Sequence, residues 1–174
     1  MSVTIRLLGL DPGLRATGWG IVDADGNALS AVANGTVRAD AKVPLSERLH
    51  FIFSEIGKVI VEHGPQECAI EETFVNKNPT STLILGHARA AAMLAAAEAG
   101  LMVGEYTPNA VKKAVVGAGH ADKQQIDAMV RMLLPGHVPH SADAADALAV
   151  AICHAHHRVS NERLKVAIAG GHRR

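Results

Sequence analysis

The sequence predicts an α/β domain: a five-stranded mixed sheet flanked by helices on both faces. Three observations carry that expectation. Residues 4–38 hold three apolar, strand-like stretches separated by Gly-containing turns. A helix-period stretch follows Pro44, and beyond it short apolar runs alternate with helical ones. With 174 residues and 48% hydrophobic content, the chain has the material for one globular core. Only 3% is aromatic, so that core must be built from Leu, Ile, Val and Ala.

Taken in order, residues 4–10 read as a buried strand, and Asp11-Pro12-Gly13 is a turn. Residues 17–22 read as a second strand, Asp25-Gly26-Asn27 as a hairpin turn and 28–38 as a third strand, giving an antiparallel meander. Pro44 opens a helix in which Leu45, Leu49, Ile52, Ile56, Val59 and Ile60 share one face, and Gly64-Pro65 ends it. Residues 67–73 form a fourth strand. It follows a helical crossover and is therefore expected parallel to the first. A polar loop over 74–81 leads to an Ala-rich helix, with Thr80 or Ser81 as N-cap and Gly100 as its stop. A fifth strand over 101–106, helices near 108–115 and 123–133, and a last helix over 141–157 complete the order. Residues 1–157 are expected to form a single domain, and 158–174 a basic, flexible tail. A meander followed by alternating α and β elements is the arrangement of the ribonuclease H-like fold, and fold alone does not give function.

Three carboxylate islands stand out. Asp11 ends the first strand, Glu71 and Glu72 lie at the end of the fourth, and Asp143 and Asp146 sit at the start of the last helix. Neighbouring strand ends are about 4.8 Å apart, so Asp11 and a glutamate can share a cation. Asp143 and Asp146, three residues apart, share a helix face. Glu71 and Glu72 cannot both face the site, because strand side chains alternate, and periodicity does not choose between them. Clustered carboxylates repel, and hard divalent cations such as Mg²⁺ relieve that repulsion through oxygen ligands. Two such ions can activate water and stabilise the leaving oxygen in phosphodiester hydrolysis.

Other residues add to this picture. Lys112, Lys113 and Lys123 surround Gly117-Ala118-Gly119 and could engage phosphates. Phe74, one of three Phe in the chain, follows the Glu71-Glu72 strand and is a candidate base-stacking residue. Residues 1–72 carry 6 Lys+Arg against 10 Asp+Glu, whereas 73–174 carry 11 against 7. A basic surface is thus expected from the second part, although the whole chain is neutral. His154, His156 and His157 lack a Cys-x-x-Cys partner, which argues against structural zinc. The Gly9, Gly13 and Gly18 spacing fits neither a dinucleotide nor a Walker loop. Cys68 and Cys153 read as buried, reduced thiols. No apolar run reaches the ~18 residues of a membrane span, and the first residues lack the build of a secretory signal. A cytoplasmic location is the expectation.

Leu8-Gly9-Leu10-Asp11-Pro12-Gly13, Ala69-Ile70-Glu71 and Ala142-Asp143-Ala144-Ala145-Asp146-Ala147-Leu148-Ala149 resemble the three signatures of the RuvC Holliday junction resolvases. Val115-Val116-Gly117-Ala118-Gly119 with Lys123, and Asn78-Pro79-Thr80-Ser81 leading to Leu85-Gly86-His87-Ala88-Arg89, are similar to the same family. The likeness runs unbroken from about residue 4 to 157. The family often has Ala-Arg-Gly where this chain has Ala88-Arg89-Ala90.

The resemblance implies a homodimeric, Mg²⁺-dependent endonuclease, with Mn²⁺ as a substitute metal. It would place paired symmetric nicks in four-way DNA junctions during recombination and repair, with a RuvA–RuvB branch-migration complex as partner. In-line attack by water would expel the 3′ oxygen and leave 5′-phosphate and 3′-hydroxyl ends. By position it assigns Asp11, Glu71, Asp143 and Asp146 as the catalytic, metal-binding quartet, so Glu71 is taken over Glu72. Lys112, Lys123 and Phe74 fall on the family's DNA-binding positions. An actin- or hexokinase-like phosphotransferase also places Asp and Gly at a first strand end. It pairs two copies of this fold, however, and 174 residues hold one. A nonenzymatic junction binder would not need carboxylates at all three islands.

Overall fold

The computed structural model describes residues 3–73, 78–117, 119 and 121–171, with backbone alone beyond 159. The elements run β1 Ile5–Asp11, β2 Ala16–Asp25, β3 Ala28–Arg38, α1 Leu45–His63, β4 Glu67–Glu71, α2 Pro79–Glu98, β5 Met102–Tyr106, α3 Pro108–Val116, α4 Lys123–Leu133 and α5 Ala142–Gly171. The five strands form one sheet in the order β3-β2-β1-β4-β5. β1, β2 and β3 are antiparallel neighbours, while β4 lies parallel to β1 and β5 parallel to β4. This mixed sheet is the ribonuclease H-like arrangement, as the order of elements predicts.

Strand alternation divides the core in two. Leu8, Leu10, Cys68 and Ile70 pack against Ile52, Ile56, Val59 and Ile60 of α1 and Ala88, Ala92 and Ala96 of α2. Val22 and Ala69 face the other way, toward α3, α4 and the buried stretch Leu148–Cys153 of α5. Both cysteines are buried and free. Glycines let α5 lie directly on β1 and β2. A Cβ on Gly9 would collide with the Ala147 carbonyl and Ala151, and one on Gly18 with the Asp143 carbonyl. The start of α5 is thereby pressed against the end of β1 that carries Asp11.

Three local boundaries differ from the sequence expectation. The N-cap of α2 is Asn78, whose side chain accepts from the backbone N–H groups of Thr80 and Ser81. Pro79 suits the first helical position, which moves the cap one residue earlier than Thr80 or Ser81. β4 stops at Glu71 rather than at residue 73, and the Glu72 N–H is bonded to the Tyr106 carbonyl at 2.8 Å. α5 continues to Gly171 instead of ending near 157, because no Gly or Pro interrupts the chain before Gly170. Among the described residues, no helix is long and apolar enough to cross a membrane.

Candidate active site

The register places the first two islands side by side. Leu10 pairs with Ile70 across the parallel β1–β4 ladder, so Asp11 and Glu71 are the next residues on neighbouring strands. Leu10 and Ile70 face α1 and α2. Asp11 and Glu71 therefore face α5, and Glu72, one step further, does not share that face. The sheet itself makes the choice that periodicity left open.

Several bonds hold this arrangement. Arg89 Nε donates to the Glu71 carbonyl at 2.9 Å, and the same guanidinium pairs with Glu105. The Ser141 hydroxyl caps α5 by accepting from the Ala144 N–H at 3.0 Å, and it shares a 2.6 Å hydrogen bond with Thr36 of β3. Buried Asn34 accepts from the His140 N–H at 2.8 Å and contacts His137. β3 thus anchors the turn that launches the third island. Asn34 and Thr36 carried no signal in the sequence, and Arg89 stood there only within a family-like stretch, because each acts on a segment outside its own element.

A cavity of about 310 Å³ opens over the strand ends, lined by Asp11, Glu71 and Asp146 together with Lys112 and Lys123. Pro108, Val111, Ile126 and Ala149 form its apolar wall. Lys123 Nζ lies 2.9 Å from Asp146 Oδ2. Asp143 occupies the first turn of α5 and Asp146 the next turn; Asp143 lies 3.8 Å from Arg38, outside the cavity lining. The sequence placed both aspartates in the first turn. Phe74 lies outside the described residues.

The electrostatics are those of crowded like charges. Burial, then repulsion from Glu71, Asp146 and Asp143, pushes the Asp11 carboxyl up to about 7, against the opposing pull of Lys123. Burial and Asp146 push Glu71 up to about 7 as well, with Lys112 opposing. The hydrogen bond and charge of Asp146 raise the Lys123 ammonium, which stays protonated. Among the described residues, no three His, Cys, Asp or Glu side chains are drawn together as a finished ligand set. What the site presents is hard oxygen donors whose ionised forms lack enough compensating positive charge. That donor chemistry fits a divalent cation of the Mg²⁺ class, not a soft metal.

Comparison with known proteins points to one family. The family model described as "Crossover junction endodeoxyribonuclease RuvC" matches residues 7–154. A protein of that name from Rhodopseudomonas palustris (strain TIE-1) is 59% identical over 161 residues, covering 92% of each chain. One from Brucella ovis is 54% identical over 173 residues, covering 98% of this chain and 100% of the relative. The solved structure "T. thermophilus RuvC in complex with Holliday junction substrate" superposes with a TM-score of 0.84 at 31% identity, covering 90% of this chain and 96% of that one. A family model over residues 7–154, high identity over nearly the whole chain and a shared fold lead to one conclusion: this chain belongs to the RuvC family of crossover junction endodeoxyribonucleases.

Proposed function

We propose that this crossover junction endodeoxyribonuclease resolves four-way DNA junctions by Mg²⁺-dependent hydrolysis, with Asp11, Glu71, Asp143 and Asp146 as its metal-binding quartet. The observation that carries the reading is the meeting of Asp11, Glu71 and Asp146 with Lys112 and Lys123 around one cavity. Bound Mg²⁺, or Mn²⁺ in its place, supplies Lewis acidity and lowers the pKa of a water. Asp11 and Glu71 place their carboxyl oxygens where the scissile phosphate would approach. Lys112 and Lys123 reach the same space and neutralise phosphate oxygens as point charges. Lys123 can exchange Asp146 for phosphate without leaving the cavity wall. Asp143, beside Arg38, completes the acidic set from the rim.

The partner assignments rest on the family. The thermophilic relative's structure contains a Holliday junction substrate, which supports junction DNA as the ligand here. A homodimer would present two such cavities to two strands and leave 5′-phosphate and 3′-hydroxyl ends. Phe74 would stack near the crossover, RuvA–RuvB would deliver the junction, and the reaction would take place in the cytoplasm. The test compares a synthetic four-way junction with linear duplex, each with and without Mg²⁺. Symmetric cutting of the junction only, and only with Mg²⁺, is expected. Equal cutting of duplex, or cutting in EDTA, would sink the proposal.

A further inference from the structure

A second polar cluster lies on the same face of the sheet, at the opposite end of β4. The Glu67 carboxylate accepts from Arg158 Nε at 2.9 Å and pairs with His154 Nε2 at 2.8 Å, and its side chain is only 13% exposed. The other imidazole nitrogen, Nδ1, lies 2.8 Å from the Tyr106 hydroxyl. An ionised carboxylate can only accept, so His154 Nε2 carries the hydrogen and Nδ1 accepts from Tyr106 O–H. The Tyr106 hydroxyl, His154 Nε2–H and Arg158 Nε–H then each have an acceptor. Burial lowers the His154 pKa, against the opposing pull of Glu67, and so favours the neutral ring. Gly104 makes room for the imidazole, since a Cβ there would press on its Nδ1 and Cε1. His157 stacks on Tyr106 with ring centroids 5.1 Å apart.

This cluster joins the same two elements that carry the carboxylates. Glu67 and Glu71 lie on one face of β4, and Asp146, His154 and Arg158 lie along α5. From Asp146 to His154 the helix rises ~12 Å. From Glu71 back to Glu67 the strand covers ~13 Å. The two spacings match, so α5 runs back along β4 with one polar contact at each end. The ends differ in sign: Glu71 and Asp146 repel, whereas Glu67 is held by two donors. Between them the seam consists of Ala69 against Ala149, Ile152 and Cys153, among other apolar groups. Apolar burial is non-directional and resists sliding weakly, while hydrogen bonds fix a register. Tyr106 adds a further link, because it pairs in register with Glu71 and its carbonyl receives the Glu72 N–H.

We propose that Tyr106, His154, Glu67 and Arg158 form a positioning clamp that sets the register of α5 on β4, and through it the separation of Asp146 from Glu71. The inference rests on the reading of those carboxylates as metal ligands. None of the four clamp residues lines the carboxylate cavity. Their effect is on how far the carboxylates must move to share a cation.

The test measures Mn²⁺ binding to the full-length protein without DNA by electron paramagnetic resonance, alongside thermal unfolding. Glu67→Ala removes both acceptors and should weaken Mn²⁺ binding about 3- to 10-fold. Glu67→Gln is the conservative rescue, expected within about twofold of the parent protein. Its amide can donate to His154 and accept from Arg158 once the imidazole changes tautomer, a change visible as a move of the ring hydrogen in ¹⁵N-histidine spectra. Tyr106→Phe keeps the ring and loses one bond, so it should fall between the two. A lowered Tm with unchanged Mn²⁺ affinity in Glu67→Ala would overturn the clamp and leave a purely stabilising cluster. Should Glu67→Ala not fold, Tyr106→Phe decides: weakened Mn²⁺ binding supports the clamp, and unchanged binding overturns it. Parent protein that fails to bind Mn²⁺ overturns the carboxylate reading and the clamp together. Normal binding by the parent and every folded variant overturns the clamp alone.

Discussion

The two ends of β4 carry the same side chain and put it to opposite uses. At Glu67 a carboxylate meets an imidazole and a guanidinium, and the charges are matched. At Glu71 a carboxylate meets Asp11 and Asp146, and burial adds to the repulsion. Both lie under α5 on one face of one five-residue strand. Burial alone therefore does not make a carboxylate functional. What distinguishes the site is unmet charge held in place by a neighbouring region where charge is met. The apolar seam between them is short enough to carry that constraint.

The largest expected effect comes from removing charge at the Glu71 end. Asp11→Asn should lower junction cleavage on the order of 1,000-fold, ~4 kcal/mol in the barrier, while gel-shift binding to the junction persists. Cleavage near the parental rate would show that the crowded end is not the reactive one. Next is the packing that presses α5 onto the sheet. Gly9→Ala places a Cβ against the Ala147 carbonyl and Ala151, and should cost about 2–3 kcal/mol in chemical denaturation. An unchanged midpoint would mean that α5 lifts from β1 freely.

The pH dependence separates the two ends by sign. Asp11 and Glu71 rise from 3.8 and 4.5 to about 7 in the fold. The folded state therefore holds protons that the unfolded chain has released. Stability at this end is greatest below pH ~4 and falls as pH rises to ~7, by about 2 kcal/mol once solvent screening is allowed for. His154 shifts the other way, below its ordinary 6.5. Its contribution is complete above that value and is lost as pH falls below it. Between pH ~4 and 6.5 the two terms oppose each other, and melting without divalent metal reads their sum. Asp11→Asn should reduce the fall in stability with rising pH, and His154→Gln should steepen it. Adding Mg²⁺ at pH 8 should raise the Tm of the parent protein and not that of Asp11→Asn. The smallest effect is expected at Arg38→Ala, which removes a 3.8 Å contact between two solvent-accessible groups. It should change stability by no more than ~0.5 kcal/mol.

Much of the fold was legible because its signals are local. The helix face of Ile52, Ile56, Val59 and Ile60 needs only a 3.6-residue period, and the left-handed Gly64 ends that helix where Gly64-Pro65 predicts. The parallel pairing of β4 with β1 follows from the crossover between them. The three carboxylate islands were visible as costly charges attached to apolar segments. The Asn78 cap was missed because Asn78, Thr80 and Ser81, each able to cap, compete at one helix start. The clamp was missed for a different reason. Glu67, Tyr106 and His154 each have an ordinary local reading, and their partners lie 48 and 87 residues away. The only hint was parity, since Glu67 and Glu71 share a strand face.

The sequence by itself determined the element types, the antiparallel meander with β4 parallel to β1, and the family, since each depends on local periodicity, turn chemistry or short signatures read in order. Tertiary structure decided which charges meet. It placed Glu71 rather than Glu72 beside Asp11, set Asp143 at the rim with Arg38, brought Lys112 and Lys123 to one cavity, and gave Glu67 its partners. The physical reason is range. Periodicity is settled within a few residues, whereas the energy of a buried carboxylate depends on charges a few ångströms away that belong to distant parts of the chain.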